Sequence, residues 1–418
     1  MSSFFLRMYK KNSIFARGFE RGMIILITIS VLLLLLSGIF SRRRWYAPTN
    51  LMLGVWLVSL VSYAYFDQGL HPLKSNIVWA LALWLIVFCA GAWLIQSLYI
   101  KPIFDKVESS VPARDILYYF TLGSIPVMIL WVIWIVARGD ANVFSALRDA
   151  NVTGVYGVRT ASFFVLIWMV SYIVELLVVS RHNIWRVLVL FLANLFYAVV
   201  SMGKMNFMIL FLATAIIMSS RGLLKFKHLL VAFACLLTSF VAIQMVRGSY
   251  TNPRHFTALY LTSSLANLDQ NVQPSSSEQV GENTGRFFYA LRSALDGGRT
   301  EVVNPILDFQ WAYVGNLKYY SNTYTALYPF YKDFGLMGVV GFAWILGMIF
   351  GYLFKSAEDG SHLALVMYAI LAGTIVMQFI GDTFFTILSQ NIQYFIVALI
   401  PFVISKYHLF EPSNVTNG

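Results

Sequence analysis

The chain has 418 residues, 59% of them hydrophobic and only 12% charged, with a formal net charge of +11. So large an apolar share excludes a soluble domain, which could not bury it. Nor does the charge indicate a nucleic-acid partner, because most Lys and Arg fall in short connections between apolar runs, where membrane topology collects them.

A hydrocarbon core of about 30 Å takes roughly 20 mainly apolar residues at helical rise. Spanning segments must satisfy their backbone internally, so the apolar runs are expected to be helices. Eleven are expected, near 22–40, 48–66, 76–98, 116–136, 161–179, 184–202, 205–219, 229–246, 335–353, 363–380 and 391–405. The first, GMIILITISVLLLLLSGIF, follows Arg7, Lys10, Lys11, Arg17 and Arg21 as a secretory leader would. Its apolar region is too long for one and no small-x-small cleavage site precedes Arg42, so it is expected to stay attached. Cys89 and Cys235 both fall inside expected spans, which suggests neither a disulfide framework nor a metal site. The expected fold is all-α and polytopic, with about 11 spans, or 12 if one more crossing lies near the start. Residues 1–246 would form the first eight spans, 247–334 one large polar loop, and 335–418 the last three spans and a tail.

Orientation follows from the basic residues in the short connections. With the 247–334 loop outside, the cytoplasmic side holds thirteen: Arg42, Arg43, Arg44, Lys101, Lys106, Arg114, Arg181, Arg186, Arg221, Lys225, Lys227, Lys355 and Lys406. The short outer connections hold five, Lys74, Arg138, Arg148, Arg159 and Lys204. The loop is therefore expected outside and the C-terminus inside. The basic N-terminus opposes this count, so either a further crossing is hidden there or residues 1–21 lie along the membrane surface.

Inside the spans charge is scarce. Glu175 is the one acid well within an expected helix, a turn or so from Arg181, and snorkelling and function are both open readings. No symmetric pair of Gly- or Pro-broken helices and no internal repeat is evident, which counts against a transporter.

The long loop has three parts. Arg254–Leu268 and Arg286–Leu295 space their apolar and aromatic residues as short amphipathic helices do. Between them Gln270–Thr284 is polar and reads as a mobile link. In Phe309–Phe334, ten of 26 residues are aromatic, among them Trp311, Tyr313, Tyr320, Tyr324 and Tyr328. An interfacial aromatic belt explains such density. A sugar-stacking platform explains it too, with Asn304, Gln310, Asn316 and Asn322 placed to bond hydroxyls. Basic residues gather toward the same side: Lys204 in a Gly-Lys turn, Arg247 closing the eighth span, and Arg254, Arg286, Arg292 and Arg299 in the loop. Guanidinium groups bind phosphate oxygens in pairs, yet the loop has as many acidic as basic residues, so phospholipid anchoring is an equal reading.

The segment NTYTALYPFYKDFGLMG, Asn322–Gly338, resembles the late signature of Wzy-type O-antigen, or oligosaccharide repeat-unit, polymerases. The Gly203–Lys204 turn, Arg247 after the following span and Tyr260–Asp269 (YLTSSLANLD) occur in a similar order. The resemblance implies a bacterial inner-membrane glycosyltransferase that joins undecaprenyl-pyrophosphate-linked repeat units at the outer leaflet. It implies no nucleotide-sugar donor and no cofactor, with a chain-length regulator as a further partner. Such an enzyme must steady the pyrophosphate leaving group and deprotonate an acceptor hydroxyl. The resemblance points to Arg247, Lys204 and Arg254, then Arg286 and Arg292, for the pyrophosphate, and to Trp311, Tyr313, Tyr320, Asn322, Tyr324 and Tyr328 for the glycan. Candidates for the base are Asp333, Asp382 and His255, with Glu301 and Asp308 behind them. Asp333 could equally cap the ninth span, and Gly335 and Gly338 are read as allowing close helix packing. No DxD pair is present, and cationic side chains would replace a metal. An O-antigen ligase shares this chemistry and differs in acceptor, while a flippase is the alternative from another class.

Overall fold

The computed structural model describes residues 22–41, 44–65, 69–102, 108–138, 146–147, 150, 158–201, 203–224, 253–303, 312–315 and 319–407, with isolated positions 227, 231, 234 and 238. The protein is an all-α multi-pass membrane protein. Its helices are α1 (Gly22–Phe40), α2 (Pro48–Tyr65), α3 (Ser75–Ser97), α4 (Val111–Arg138), α5 (Val158–Leu177), α6 (Ile184–Ser201) and α7 (Lys204–Ser220). After these come α8 (Pro253–Asn271), α9 (Arg286–Leu295), a hairpin of β1 (Ala312–Val314) and β2 (Tyr319–Ser321), α10 (Tyr328–Glu358), α11 (His362–Val376) with a 3-10 turn at Met377–Phe379, and α12 (Leu388–Lys406).

Among the described residues eight helices are long and apolar enough to cross a bilayer: α1, α3, α4, α5, α6, α10, α11 with its 3-10 turn, and α12. Three expected spans fall outside this set. In α2, Pro48, Thr49 and Asn50 dilute the apolar run; α7 is a shorter apolar helix; and 229–246 lies almost wholly outside the described residues.

The chain divides into two compact units. One unit comprises Met1–Tyr99, Thr251–Tyr352 and Thr374–Leu388. In it, α3 and α10 approach until backbone meets backbone: a Cβ on Gly347 would stand 2.3 Å from the Phe88 carbonyl oxygen, and one on Gly351 2.7 Å from that of Ala92. Small residues permit such approach where lipid supplies no hydrophobic drive between helices. Around the contact Trp84 stacks on Phe330 (centroids 5.6 Å apart) and Phe330 on Phe342 (4.7 Å).

Sequence reading takes Arg254–Leu268 as a short amphipathic helix; the structure has the helix, but over Thr262–Asp269 its polar side is buried too. From Thr262 to Asp269 every residue of α8 is buried, polar ones included. Its polar groups find partners instead of water, as buried polar groups must. Asn267 donates to the carbonyls of Ser321 and Thr323 (3.1 Å each), Ser59 donates to the Leu261 carbonyl (2.7 Å), and Ser264 donates to that of Phe379. A neighbouring knot is Gln378, whose side-chain oxygen accepts the indole N–H groups of Trp56 (3.2 Å) and Trp84 (3.1 Å) while its carbonyl accepts Ala326 N–H (2.7 Å).

A correction concerns Gln270–Thr284. Rather than a free link, it is fastened to the start of α10. Gly335 adopts φ 62°, ψ −146°, a left-handed conformation suited to glycine, and breaks α10 there. The carbonyls of Tyr331 and Lys332, left open by the break, accept N–H groups of Ser275 (3.1 Å) and Ser276 (2.8 Å).

The other unit comprises Ile100–Tyr250, Leu353–Gly373 and Ser389–Gly418. In it α5 packs on α4, α6 and α7. Trp168 donates to Ser124 (2.7 Å), and Asn194 donates to the Trp168 carbonyl (3.1 Å). Glu175 is buried, and its partners are not Arg181 but Arg186 (2.9 Å) and Arg114 (3.8 Å), with Arg186 also bonded to Asp115 (2.6 Å). The snorkelling reading of Glu175 is thereby replaced by a buried ion cluster that ties α4, α5 and α6 together.

Candidate functional site

The segment between β2 and α10 has no regular structure from Asn322 to Thr325 and turns into α10 at Tyr328. Three constraints hold it: Asn267 grips the carbonyls of Ser321 and Thr323 from one side, Gln378 accepts Ala326 N–H from the other, and Tyr328 N–H bonds the Thr325 carbonyl at 3.0 Å. So fixed, the segment forms one wall of a pocket of about 370 Å³, solvent at its mouth included. Tyr324, Thr325, Tyr328 and Pro329 make that wall; Asn283 and Val303 come from the preceding loop, and Gly381, Asp382 and Thr386 from the turn before α12.

The two tyrosines are a coupled pair, with ring centroids 4.7 Å apart at a tilt of 36°. Lys332, one turn along α10, donates to the Tyr328 hydroxyl at 3.2 Å. Burial pushes the Tyr324 phenol above its ordinary value, with help from the neighbouring Tyr328, against a hydrogen bond with Asn267 and the charge of Lys332. At this pair, ring faces and hydroxyls are presented together, the combination that pyranose rings meet by stacking and hydrogen bonding.

Asp382 supplies the pocket's carboxylate. Its Oδ1 accepts the backbone N–H groups of Phe384 (3.0 Å) and Phe385 (3.3 Å), and its Oδ2 accepts Thr386 N–H (2.8 Å) and hydroxyl (3.0 Å). These bonds orient the side chain and close the turn that leads into α12. Burial raises its pKa above the usual 3.8, and the hydrogen bonds from Phe384, Thr386 and Phe385 oppose but do not cancel the shift. A carboxylate so raised is poised for proton transfer.

Asp333, the other carboxylate expected to act as base or cap, does not cap its own helix; its bonds go to the preceding loop. It lies inside α10, which begins at Tyr328, and accepts no bond from its own helix. Its Oδ1 takes Ser277 Oγ (2.5 Å) and Asn283 Nδ2 (2.7 Å), and its Oδ2 takes Thr284 N–H (2.7 Å). It is buried and fully engaged in fastening the 277–284 loop.

The cationic candidates divide. Arg286 opens α9 and donates to the Thr386 carbonyl at 3.5 Å, which brings it to the pocket's edge. Arg292 is exposed one and a half turns further along α9. Lys204 begins α7 in the other unit, and Arg254 and His255 lie in the first turn of α8, but their side chains are outside the described residues, as are Arg247 and Trp311 altogether. Of the glycan candidates, Tyr313 is half exposed on β1, Tyr320 pairs with it across the hairpin, and Asn322 is half-buried. Among the described residues of that set, Tyr324 and Tyr328 line the pocket.

Sequence reasoning missed Asn283, Thr325 and Thr386, each polar and in a stretch without periodicity. It also missed a second polar cluster, where buried Asp269 accepts Lys74 N–H at 3.0 Å while Lys74 Nζ donates to the Asp269 carbonyl at 2.6 Å. Burial raises the Asp269 carboxyl there, against the Lys74 N–H bond and the charges of Lys74 and His71. Among the described residues no group of three or more His, Cys, Asp and Glu side chains is gathered as metal ligands would be. Comparisons with protein families, with curated proteins and with solved structures gave no match.

Proposed function

We propose that this protein is a Wzy-type repeat-unit polymerase of a bacterial inner membrane, with the 247–334 loop and its pocket on the periplasmic side and eleven spans in all. The observation that carries the reading is the coincidence of two independent features. The segment resembling the polymerase signature, Asn322–Gly338, is the one whose Tyr324, Thr325, Tyr328 and Pro329 wall the pocket.

In this reading the tyrosine pair stacks on a sugar of the acceptor unit and Asp382 takes the proton from its attacking hydroxyl. The new bond forms between that oxygen and the anomeric carbon of the donor, and the bond from that carbon to the undecaprenyl pyrophosphate breaks. Negative charge grows on the departing pyrophosphate, where Arg286 at the pocket's edge stabilises it. Arg292 and Arg254 are proposed as further cations on the same lipid-linked leaving group. The exposed Tyr313, with Tyr320, Trp311 and Asn322, is proposed to extend contacts along the growing glycan, and a chain-length regulator is proposed as partner.

Deleting the gene in its bacterium tests the class. A polymerase deletion leaves surface polysaccharide capped with a single repeat unit; loss of all units points to a ligase, and lipid-linked units trapped inside point to a flippase. A full-length ladder in the deletion strain overturns the proposal.

A further inference from the structure

Helix α9 keeps none of its side chains buried. Its apolar residues nevertheless fall on one side: at helical spacing Phe287, Phe288, Leu291 and Leu295 share an arc, and Arg286, Tyr289 and Ser293 lie opposite. Phe288 is 63%, Leu291 50% and Leu295 81% exposed, and Val280 in the preceding loop is 82% exposed. In water such a face would have no reason to stay uncovered.

Its position says what covers it. Thr284, two residues before α9, is bonded to Asp333, and Gly285 N–H bonds the Gly281 carbonyl at 2.7 Å, so the helix cannot swing far from that anchor. Asp333 stands two residues before Gly335, where α10 resumes as the apolar run of a spanning helix whose first side chains, Leu336 and Met337, are themselves exposed. The start of α9 is therefore tied to the level at which the chain enters hydrocarbon. Arg292 flanks Phe288 on the helix surface, where an anionic headgroup would meet it. A second protein copy fits less well, since a ten-residue helix offers far less than the roughly 1,000 Å² of a specific interface.

We infer that α9 is an interfacial helix, with Phe288, Leu291 and Leu295 immersed in the outer acyl boundary and Arg292 among lipid phosphates, holding the pocket's Arg286 and Asn283 edge at headgroup depth. This does not depend on the reaction assigned to the pocket, and its test uses no turnover.

Spin labels placed at Leu291→Cys and, on the opposite side, at Ser293→Cys, both in a Cys89→Ser, Cys235→Ser background, would be read in lipid nanodiscs. The Leu291 label should collide with oxygen in preference to a water-soluble nickel chelate, and the Ser293 label should show the reverse. Equal nickel accessibility at both sites overturns the inference. So does a Leu291 label shielded from both reagents, which would mean a protein occupant. On the unmodified chain, a phospholipid carrying a photoreactive group high in its acyl chain should cross-link within 286–295, and absence of cross-links there also overturns it.

Discussion

Asp333 and Thr284 stand 49 residues apart in sequence and meet through a 2.7 Å bond from the Thr284 N–H to the Asp333 carboxylate. Because Ser277 and Asn283 share the same carboxylate, one acid holds both ends of the loop that carries a pocket residue into place. Replacement by asparagine keeps the volume and loses a charged acceptor, costing about 1.5–3 kcal/mol for a bond to an ionised group. Asp333→Asn should therefore open 273–284 to proteases and lower thermal stability together with activity. An unchanged digestion pattern with abolished activity would instead make Asp333 a chemical participant.

Asp382 predicts the opposite separation. Asp382→Asn keeps one oxygen for the Phe384 and Phe385 N–H groups, sets an amide nitrogen against the Thr386 N–H and cannot take a proton, so polymer should disappear while the fold survives at a cost of about 1–3 kcal/mol. The pH dependence has a definite sign. The pKa is raised in the folded protein, so the ionised base appears only above the ordinary 3.8, and the acidic limb of activity should be displaced upward. Stability from this group is greatest below the unfolded pKa and falls as pH rises through the folded one. An acidic limb at an ordinary carboxylate position would remove Asp382 from the role of base.

How far the sequence could be read follows from the range over which each signal acts. Helices α3, α4, α5, α6 and α12 are legible because apolar length is a local property. The pocket's Tyr324 and Tyr328 are legible through the motif around them. The fate of α8 is not: Thr262, Ser263, Ser264 and Asn267 look like a surface, and what buries them is partners supplied by residues 59, 321, 323 and 379. The fastening of Gln270–Thr284 is hidden for the same reason, since Gly335 creates the acceptors and nothing within the loop announces them. Asp333 was visible as a candidate but its role was not, because the sequence shows an acid before Gly335 and not the three donors that converge on it.

The contact between α3 and α10 yields a packing prediction. A Cβ at Gly347 would lie 2.3 Å from the Phe88 carbonyl oxygen, which belongs to helix backbone and cannot turn aside. Gly347→Ala should cost roughly 1–3 kcal/mol, the range for forcing extra carbon into a filled site. Thermal denaturation in detergent would check it, and Gly341→Ala, with nothing within 4 Å, serves as the neutral control.

Glu175 gives the last prediction, and its logic turns on what is left behind. With 2% of its side chain exposed and Arg186 at 2.9 Å, Glu175 compensates a guanidinium that is itself only 27% exposed, with Arg114 at 3.8 Å beside it. Glu175→Ala therefore leaves the two guanidinium groups of Arg114 and Arg186 to share Asp115 as counter-ion, at a cost of roughly 3 kcal/mol, the low end for a buried pair because the arginines retain some solvent. Adding Arg186→Met removes much of the orphaned charge, and the Asp115 it abandons is 40% exposed and can be hydrated. The double variant should be less destabilised than the sum of the two single variants, with a coupling of about 0.5–3 kcal/mol. Strict additivity in thermal unfolding would mean that the ion cluster adds nothing to the hold between the three helices and is incidental.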